Sequence, residues 1–258
     1  MTGSRVQRYL LRYLLLSSGA LYLVMWAGGI VAYVFRGGPG PHEAWTAPAF
    51  LALAAILVLG TSRRREALLL TVALVLGFVS EYLAVQCGCV FGPYSYTDVL
   101  SPRVLGIPLV MSAAWMILVA YVKVMLMRLT SAAWIEVAAA SLWMTAIDLV
   151  IDPVAAGPLR YWSWVNPGAY YGIPASNFLG WFLVSAVIFA VLRLAPGRWA
   201  DNPWARRIGL SVIIFFTVIA GSYGLVACAT AGALLVCLHL AVVRTGRSGP
   251  PARSRTPA

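Results

Sequence analysis

The sequence predicts an all-α polytopic membrane protein. Hydrophobic residues make up 61% of the 258 residues and charged residues only 10%, whereas a soluble domain is about half apolar and about a quarter charged. The mean hydropathy is +0.85, and apolar runs long enough to cross a bilayer recur along the chain. The net charge of +11 comes from arginines clustered between these runs, a pattern that reports membrane orientation and excludes a nucleic-acid-binding surface.

The apolar runs locate the expected spans. They cover residues 9–35, 46–60, 66–86, 105–127, 132–151, 175–194 and 206–243. As one helix with a rise of about 1.5 Å per residue, the last run would extend nearly twice the thickness of the hydrocarbon core. It should therefore fold back at Gly221-Ser222-Tyr223-Gly224, which gives about eight spans within one transmembrane domain, residues 1–244.

The basic residues predict the orientation of these spans, because cytoplasmic loops collect Lys and Arg. With the N-terminus inside, sixteen of the nineteen basic residues fall on the cytoplasmic side, and only Arg36, Arg103 and Arg160 fall outside. The alternative of seven spans would carry the C-terminal arginines across the membrane. Both termini are therefore predicted to be cytoplasmic, and residues 245–258, rich in Gly, Pro, Ser and Arg, to form a disordered basic tail.

Three carboxylates and one amide are predicted to lie near the same membrane face. Glu81 is near the outer end of the third span, Asp148 and Asp152 are near that of the fifth, and Asn177 enters the sixth from the same side. A charged group near a helix centre costs about 2.5 to 3.5 kcal/mol, so these residues are candidate catalytic groups. The alternative is a polar clamp between helices and, for Asp152, which precedes Pro153, a position at a helix end.

An internal repeat supports this grouping. The first copy reads Glu81, Tyr94-Ser95-Tyr96, Gly106-Ile107-Pro108, Trp115. The second copy reads Asp148, Trp162-Ser163-Trp164, Gly172-Ile173-Pro174, Trp181. The repeat predicts two helical hairpins, residues 66–128 and 132–194, related by an axis along the membrane normal that brings Glu81 opposite Asp148.

Aromatic side chains cluster around these acids and are candidate substrate-binding residues. They are Tyr94, Tyr96, Trp162, Trp164, Tyr170, Tyr171 and Trp181. Their rings can stabilise a cation. The alternative is a belt of interfacial aromatic residues.

The remaining polar residues and the cysteines predict no metal site. Glu136, near the cytoplasmic end of its span, is expected to face the headgroups. Cys87, Cys89, Cys228 and Cys237 have neither the spacing of zinc ligands nor that of a disulfide framework, so they are expected to act as small buried hydrophobic residues.

Five motifs carry a resemblance to a known family. They are F-G-x-Y-x-Y at Phe91, G-I-P at Gly106, D-x-x-x-D-P at Asp148, W-x-W at Trp162 and Y-Y-G-I-P-x-x-N-F-x-G-W at Tyr170. Over roughly residues 75–195 the chain resembles the CruF-type carotenoid biosynthesis family of membrane carotenoid hydratases. The resemblance implies hydration of the terminal 1,2 double bond of an acyclic C40 or C50 carotenoid in the cell membrane. It leaves association with other carotenoid enzymes open.

The candidate residues suggest a mechanism for such a hydration. A protonated carboxyl group, Asp148 or Glu81, would deliver a proton to C2 of the end group and leave a tertiary cation at C1. Aromatic faces would shield the cation, and a water molecule held by the second carboxylate and Asn177 would add to it. Addition of water changes no oxidation state and the sequence has no cofactor motif, so no metal or redox cofactor is expected.

Two other functions also fit the sequence. A lycopene-type cyclase would form the same cation and quench it by ring closure. A proton-coupled transporter or a scaffold would also place carboxylates between repeated hairpins in the lipid bilayer. Against transport, all the candidate acids are predicted near one face, with no obvious polar path through the midplane.

Overall fold

The computed structural model describes residues 3–127 and 133–245, which fold into eight α-helices and four short strands. The helices α1 to α8 are Gly3–Arg36, Thr46–Thr61, Arg64–Cys87, Leu109–Leu126, Ala133–Ala156, Ala175–Leu194, Pro203–Ser222 and Val226–Thr245. The strands β1 to β4 are Tyr94–Tyr96, Arg103–Val104, Ile107–Pro108 and Trp162–Trp164. Among the described residues, seven helices are long and apolar enough to cross a membrane, which confirms the all-α polytopic fold.

The second helix, α2, is shorter than the others but still joins the two ends of the bundle. It has 16 residues, so it is about 24 Å long. At its end, Thr61 and Ser62 hydrogen-bond to Asn202, which caps the start of α7. At the far end of α7, Tyr223 donates to the carbonyl of Tyr33 near the end of α1. Helix α2 therefore begins near the end of α1 and ends beside the start of α7, while the orientation of the helices in the cell stays a prediction. Most of the predicted tail, residues 246–258, lies outside the described residues.

Helix α5 continues through a proline, so Asp152 lies inside the helix and not at its end. Pro153 has no backbone N–H and leaves the carbonyl of Leu149, four residues earlier, without its helical partner. The hydroxyl of Tyr170 donates to this carbonyl at 3.0 Å. The predicted end of the span at residue 151 was therefore wrong, and the helix runs to residue 156.

The two repeats meet in an antiparallel ribbon. Strand β1 pairs with β4, with Ser95 opposite Ser163 and the aromatic residues of one strand opposite those of the other. The two serine hydroxyls are 3.2 Å apart. The register is centred on the serines, so the first residue of each strand faces the last residue of the other, as a local two-fold axis through the serine pair requires.

The backbone before each G-I-P sequence also repeats. Leu105 and Gly106 have φ values of 52° and 83°, and Tyr171 and Gly172 have values of 50° and 82°. Two consecutive positive φ values are the geometry of a type I′ turn, in which glycine is favoured. The prediction that the fourth span begins at residue 105 was wrong, because this turn delays the start of α4 to residue 109.

Glu136 lies in a buried ion cluster at the other end of the bundle. It accepts hydrogen bonds from Lys123 of α4 and from Arg193 of α6 and is only 7% exposed. The expectation that it faces the headgroups was wrong, because two cations on neighbouring helices reach its depth and compensate its burial.

The cysteines also differ from the prediction. Cys87 and Cys89 form a disulfide bond at the end of α3, where the left-handed Gly88 between them turns the chain. Cys228 is buried, as expected, and Cys237 is exposed.

Candidate active site

Glu81 lies on the face of α3 that packs against α4. Gly77 is one helical turn earlier on the same face, and a Cβ atom there would be 2.6 Å from the Cβ atom of Trp115. Only glycine allows α4 to approach this closely. The close approach brings the indole ring of Trp115 within hydrogen-bonding distance of Glu81.

Three side chains donate hydrogen bonds to Glu81. Tyr94 and Tyr96 of β1 donate their hydroxyls to Oε2, at 2.7 Å for Tyr96. Trp115 donates its indole N–H to Oε1 at 2.9 Å. An indole N–H can only donate, and Glu81 is 4% exposed. All three neighbours donate, so this buried carboxyl group acts as a hydrogen-bond acceptor.

Asp148 and Asp152 both accept a hydrogen bond from the same donor. They lie one turn apart on α5, and the Nδ2 atom of Asn177 on α6 donates to Oδ2 of both, at 2.7 Å and 2.5 Å. Asp152 Oδ1 also accepts the indole N–H of Trp162 at 2.7 Å. Within the described part of the chain, Asp148 Oδ1 is buried without a hydrogen-bond partner. Two carboxyl groups that converge on one amide repel each other when both are ionised, so this geometry suits a pair that holds a proton.

A small cavity lies between Glu81 and the aspartate pair. Glu81, Asp152 and Asn177 supply its polar groups. The remaining lining residues are Phe91, Tyr94, Tyr96, Met111, Trp162, Trp164 and Trp181. Its volume is about 20 Å³, and a cavity of about one water-sized sphere can hold one water molecule where polar partners are present. The cavity thus combines acids, an amide and aromatic faces in a space the size of one water.

The β1–β4 ribbon supplies four of the rings. Tyr94 lies 5.1 Å from Trp164 and Tyr96 lies 6.1 Å from Trp162, measured between ring centroids. Burial, and next the charge of Glu81, raise the pKa of both tyrosine hydroxyls well above the usual value for a phenol. Both hydroxyls therefore remain donors around neutral pH.

Eight of the eleven residues predicted for the site line this cavity, and three do not. Asp148 is not part of the wall, but it accepts a hydrogen bond from the same Asn177 Nδ2 atom as Asp152. Tyr170 bonds to the backbone of α5, and the hydroxyl of Tyr171 accepts the backbone N–H of Ala227 at 3.0 Å. The two tyrosines thus contact the backbone of neighbouring helices, and Asp148 contacts the site through Asn177.

Sequence reasoning missed three residues of the site. Trp115 donates to Glu81 and stacks on Trp181 with 4.2 Å between ring centroids. Phe91 and Met111 line the cavity. The repeat contained the signal, because Trp115 and Trp181 follow their G-I-P prolines at the same distance, and Met111 occupies the position equivalent to Asn177.

The site offers no set of metal ligands. Among residues 3–127 and 133–245, no group of three or more His, Cys, Asp or Glu side chains is arranged to hold a metal ion.

Comparison with known proteins assigns the chain to a family. Residues 45–243, which include every residue of the candidate site, match the family described as "Carotenoid biosynthesis protein", and the chain belongs to that family. It is also similar to the bisanhydrobacterioruberin hydratase of Haloarcula japonica, with 31% identity over 129 residues that cover 48% of this chain and 43% of the relative. The match thus spans less than half of that relative's length. No solved structure matches the chain.

Proposed function

We propose that this member of the carotenoid biosynthesis family is a cofactor-independent carotenoid hydratase of the cell membrane. Its reaction adds water across the terminal 1,2 double bond of an acyclic carotenoid end group. The observation that carries the proposal is the water-sized cavity lined by both Glu81 and Asp152. The name of the Haloarcula japonica relative supports the same reaction.

Asp152 is the proton donor in this mechanism. It lines the cavity, and its neighbour Asp148 shares the Asn177 donor with it. Like charges at this separation disfavour double ionisation, so the pair retains one proton at neutral pH. Transfer of that proton to C2 of the end group breaks the double bond and leaves a tertiary cation at C1.

Aromatic faces stabilise the cation and Glu81 activates the water. Trp162, Trp164 and Trp181 line the cavity, and an aromatic face contributes about 0.5 to 2 kcal/mol to a nearby cation. Glu81 accepts a proton from the water molecule as its oxygen bonds to C1. The proton gained by Glu81 replaces the one lost by Asp152, so the net reaction is addition of one water, and the proton must return to the aspartate pair before the next turnover.

Isotopic labelling tests this reaction directly. Membranes that contain the protein and an acyclic carotenoid are incubated without air in water labelled with both heavy oxygen and deuterium. The hydratase should yield a tertiary alcohol with labelled oxygen in the hydroxyl and one deuterium at C2. A ring-containing product with deuterium and no labelled oxygen would identify a cyclase, and an unchanged pigment would favour a transporter or a scaffold. An alcohol with unlabelled oxygen would rule out hydration.

A further inference from the structure

A chain of cavities leads from the candidate site to the lipid-facing side of α1. The 20 Å³ cavity at the acids shares Met111 and Trp162 with a second cavity of about 60 Å³. The second cavity shares Leu51, Tyr161 and Phe216 with a third of about 310 Å³. Neighbouring cavities share wall residues, so only the shared side chains stand between one cavity and the next. We call this series the corridor.

The walls of the middle cavity are apolar. All residues that line the middle cavity are aliphatic, aromatic or methionine. On α4 these residues include Met111, Ala114 and Leu118, whose spacing of three and four residues places them on one helical face. The middle cavity therefore lacks charged groups and offers a chain of carbon atoms a continuous apolar surface.

The third cavity lies against one face of α1. Its α1 residues extend from Met25 to Arg36, a length of about 16 Å along the helix axis. The ion pair between Arg36 and Glu43 marks the polar end. The third cavity thus provides a long, mainly apolar volume next to the outer end of α1.

The mouth of the corridor is at Gly28. This residue lines the third cavity, is exposed, and has no atom within 4 Å of the position that a Cβ atom would take. Among the seven helices of the described residues that are long and apolar enough to cross a membrane, α1 is the least buried. A molecule dissolved in the bilayer can therefore reach the corridor past α1 without entering water.

We propose that the corridor holds the polyene chain of the substrate, which enters from the lipid beside α1 and places its end group at Glu81 and Asp152. This inference rests on the proposed function for the identity of the occupant. Three features select a long, uncharged hydrocarbon: the apolar walls of the middle cavity, the exposed position of Gly28 at the mouth, and the wall residues that the middle cavity shares with the reactive cavity. Small soluble substrates need none of these features.

Two substitutions narrow the corridor without touching the acids. Gly28→Leu adds a side chain at the mouth, where no atom stands in its way, and so should fold normally. Ala114→Leu fills the middle cavity of about 60 Å³. Ala27→Leu is the matched control, because Ala27 is exposed and lies next to the mouth on α1 but does not line the corridor.

The test measures lycopene retained by the purified full-length protein in detergent, together with its hydration in membranes. Gly28→Leu and Ala114→Leu should each reduce retained lycopene by at least about tenfold, because added methylenes in a filled apolar pocket change affinity on this scale. Ala27→Leu should match the wild type. Asp152→Asn should retain lycopene but not hydrate it, which separates occupancy from chemistry.

The outcomes distinguish the corridor from the proposed reaction. If wild-type protein retains lycopene, loses it in the two corridor variants and never hydrates it, the corridor stands and the proposed reaction fails. If the wild type hydrates lycopene and both corridor variants retain and hydrate it as well as Ala27→Leu does, the corridor is refuted. If wild-type protein retains no lycopene, the corridor is also refuted.

Discussion

The most informative perturbation is Glu81→Gln, because the structure predicts separate effects on stability and on activity. Glutamine keeps one acceptor oxygen and replaces the other with an NH₂ group. When its oxygen accepts from Tyr94 and Tyr96, its NH₂ group faces the indole N–H of Trp115, and two donors then oppose each other. A buried donor left unsatisfied costs about 1 to 3 kcal/mol, which is the expected loss of stability.

A second substitution separates the structural effect from the chemical one. Trp115→Phe removes the opposing N–H and retains a ring against Gly77 and Trp181. In the Glu81→Gln background it should restore about 1 to 3 kcal/mol relative to the sum of the single variants, because contacting residues are not additive. Turnover should stay at least about a hundredfold below the wild type, the usual scale for loss of a general base.

The assay combines unfolding in detergent with hydration of an acyclic carotenoid, for the wild type, both single variants and the double variant. Recovery of activity together with stability in the double variant would mean that Glu81 is a structural clamp. Normal turnover by Glu81→Gln alone would remove Glu81 from the mechanism. A coupling energy near zero would contradict the Glu81–Trp115 hydrogen bond itself.

Three further predictions follow from the structure. Asp152→Asn should leave protein abundance near normal and lower turnover by about a hundredfold or more, while Asp98→Asn, on an exposed loop residue, should match the wild type; equal losses in both would contradict the assignment. Tyr170→Phe should destabilise the protein by about 0.5 to 1.5 kcal/mol, because the half-buried carbonyl of Leu149 loses its donor, and unfolding in detergent would show whether the loss occurs. Reporter fusions after positions 65, 128, 198 and 247 should all read cytoplasmic, and an external signal at the last position alone would contradict eight crossings.

Local patterns in the sequence predicted the parts of the fold that depend on local physics. The bounds of α6 agree with the apolar run at residues 175–194, and the turn between α7 and α8 falls at the predicted glycines. The length of an apolar run determines where a helix can cross a bilayer, and the position of an acidic residue along that run determines the depth of its side chain in the membrane. These two quantities were enough to group Glu81, Asp152 and Asn177 at one end of the bundle.

Tertiary structure decided which side chains meet within that group. The sequence did not indicate that Gly77 lets Trp115 reach Glu81, that Asp148 lies outside the cavity wall, or that Tyr170 satisfies the carbonyl left free by Pro153. It also misplaced Glu136, whose partners come from two other helices. Sequence patterns give depth along a helix axis, but the rotation of each helix and the closeness of its neighbours depend on packing among all eight, and these determine the hydrogen-bond partners of every buried polar group.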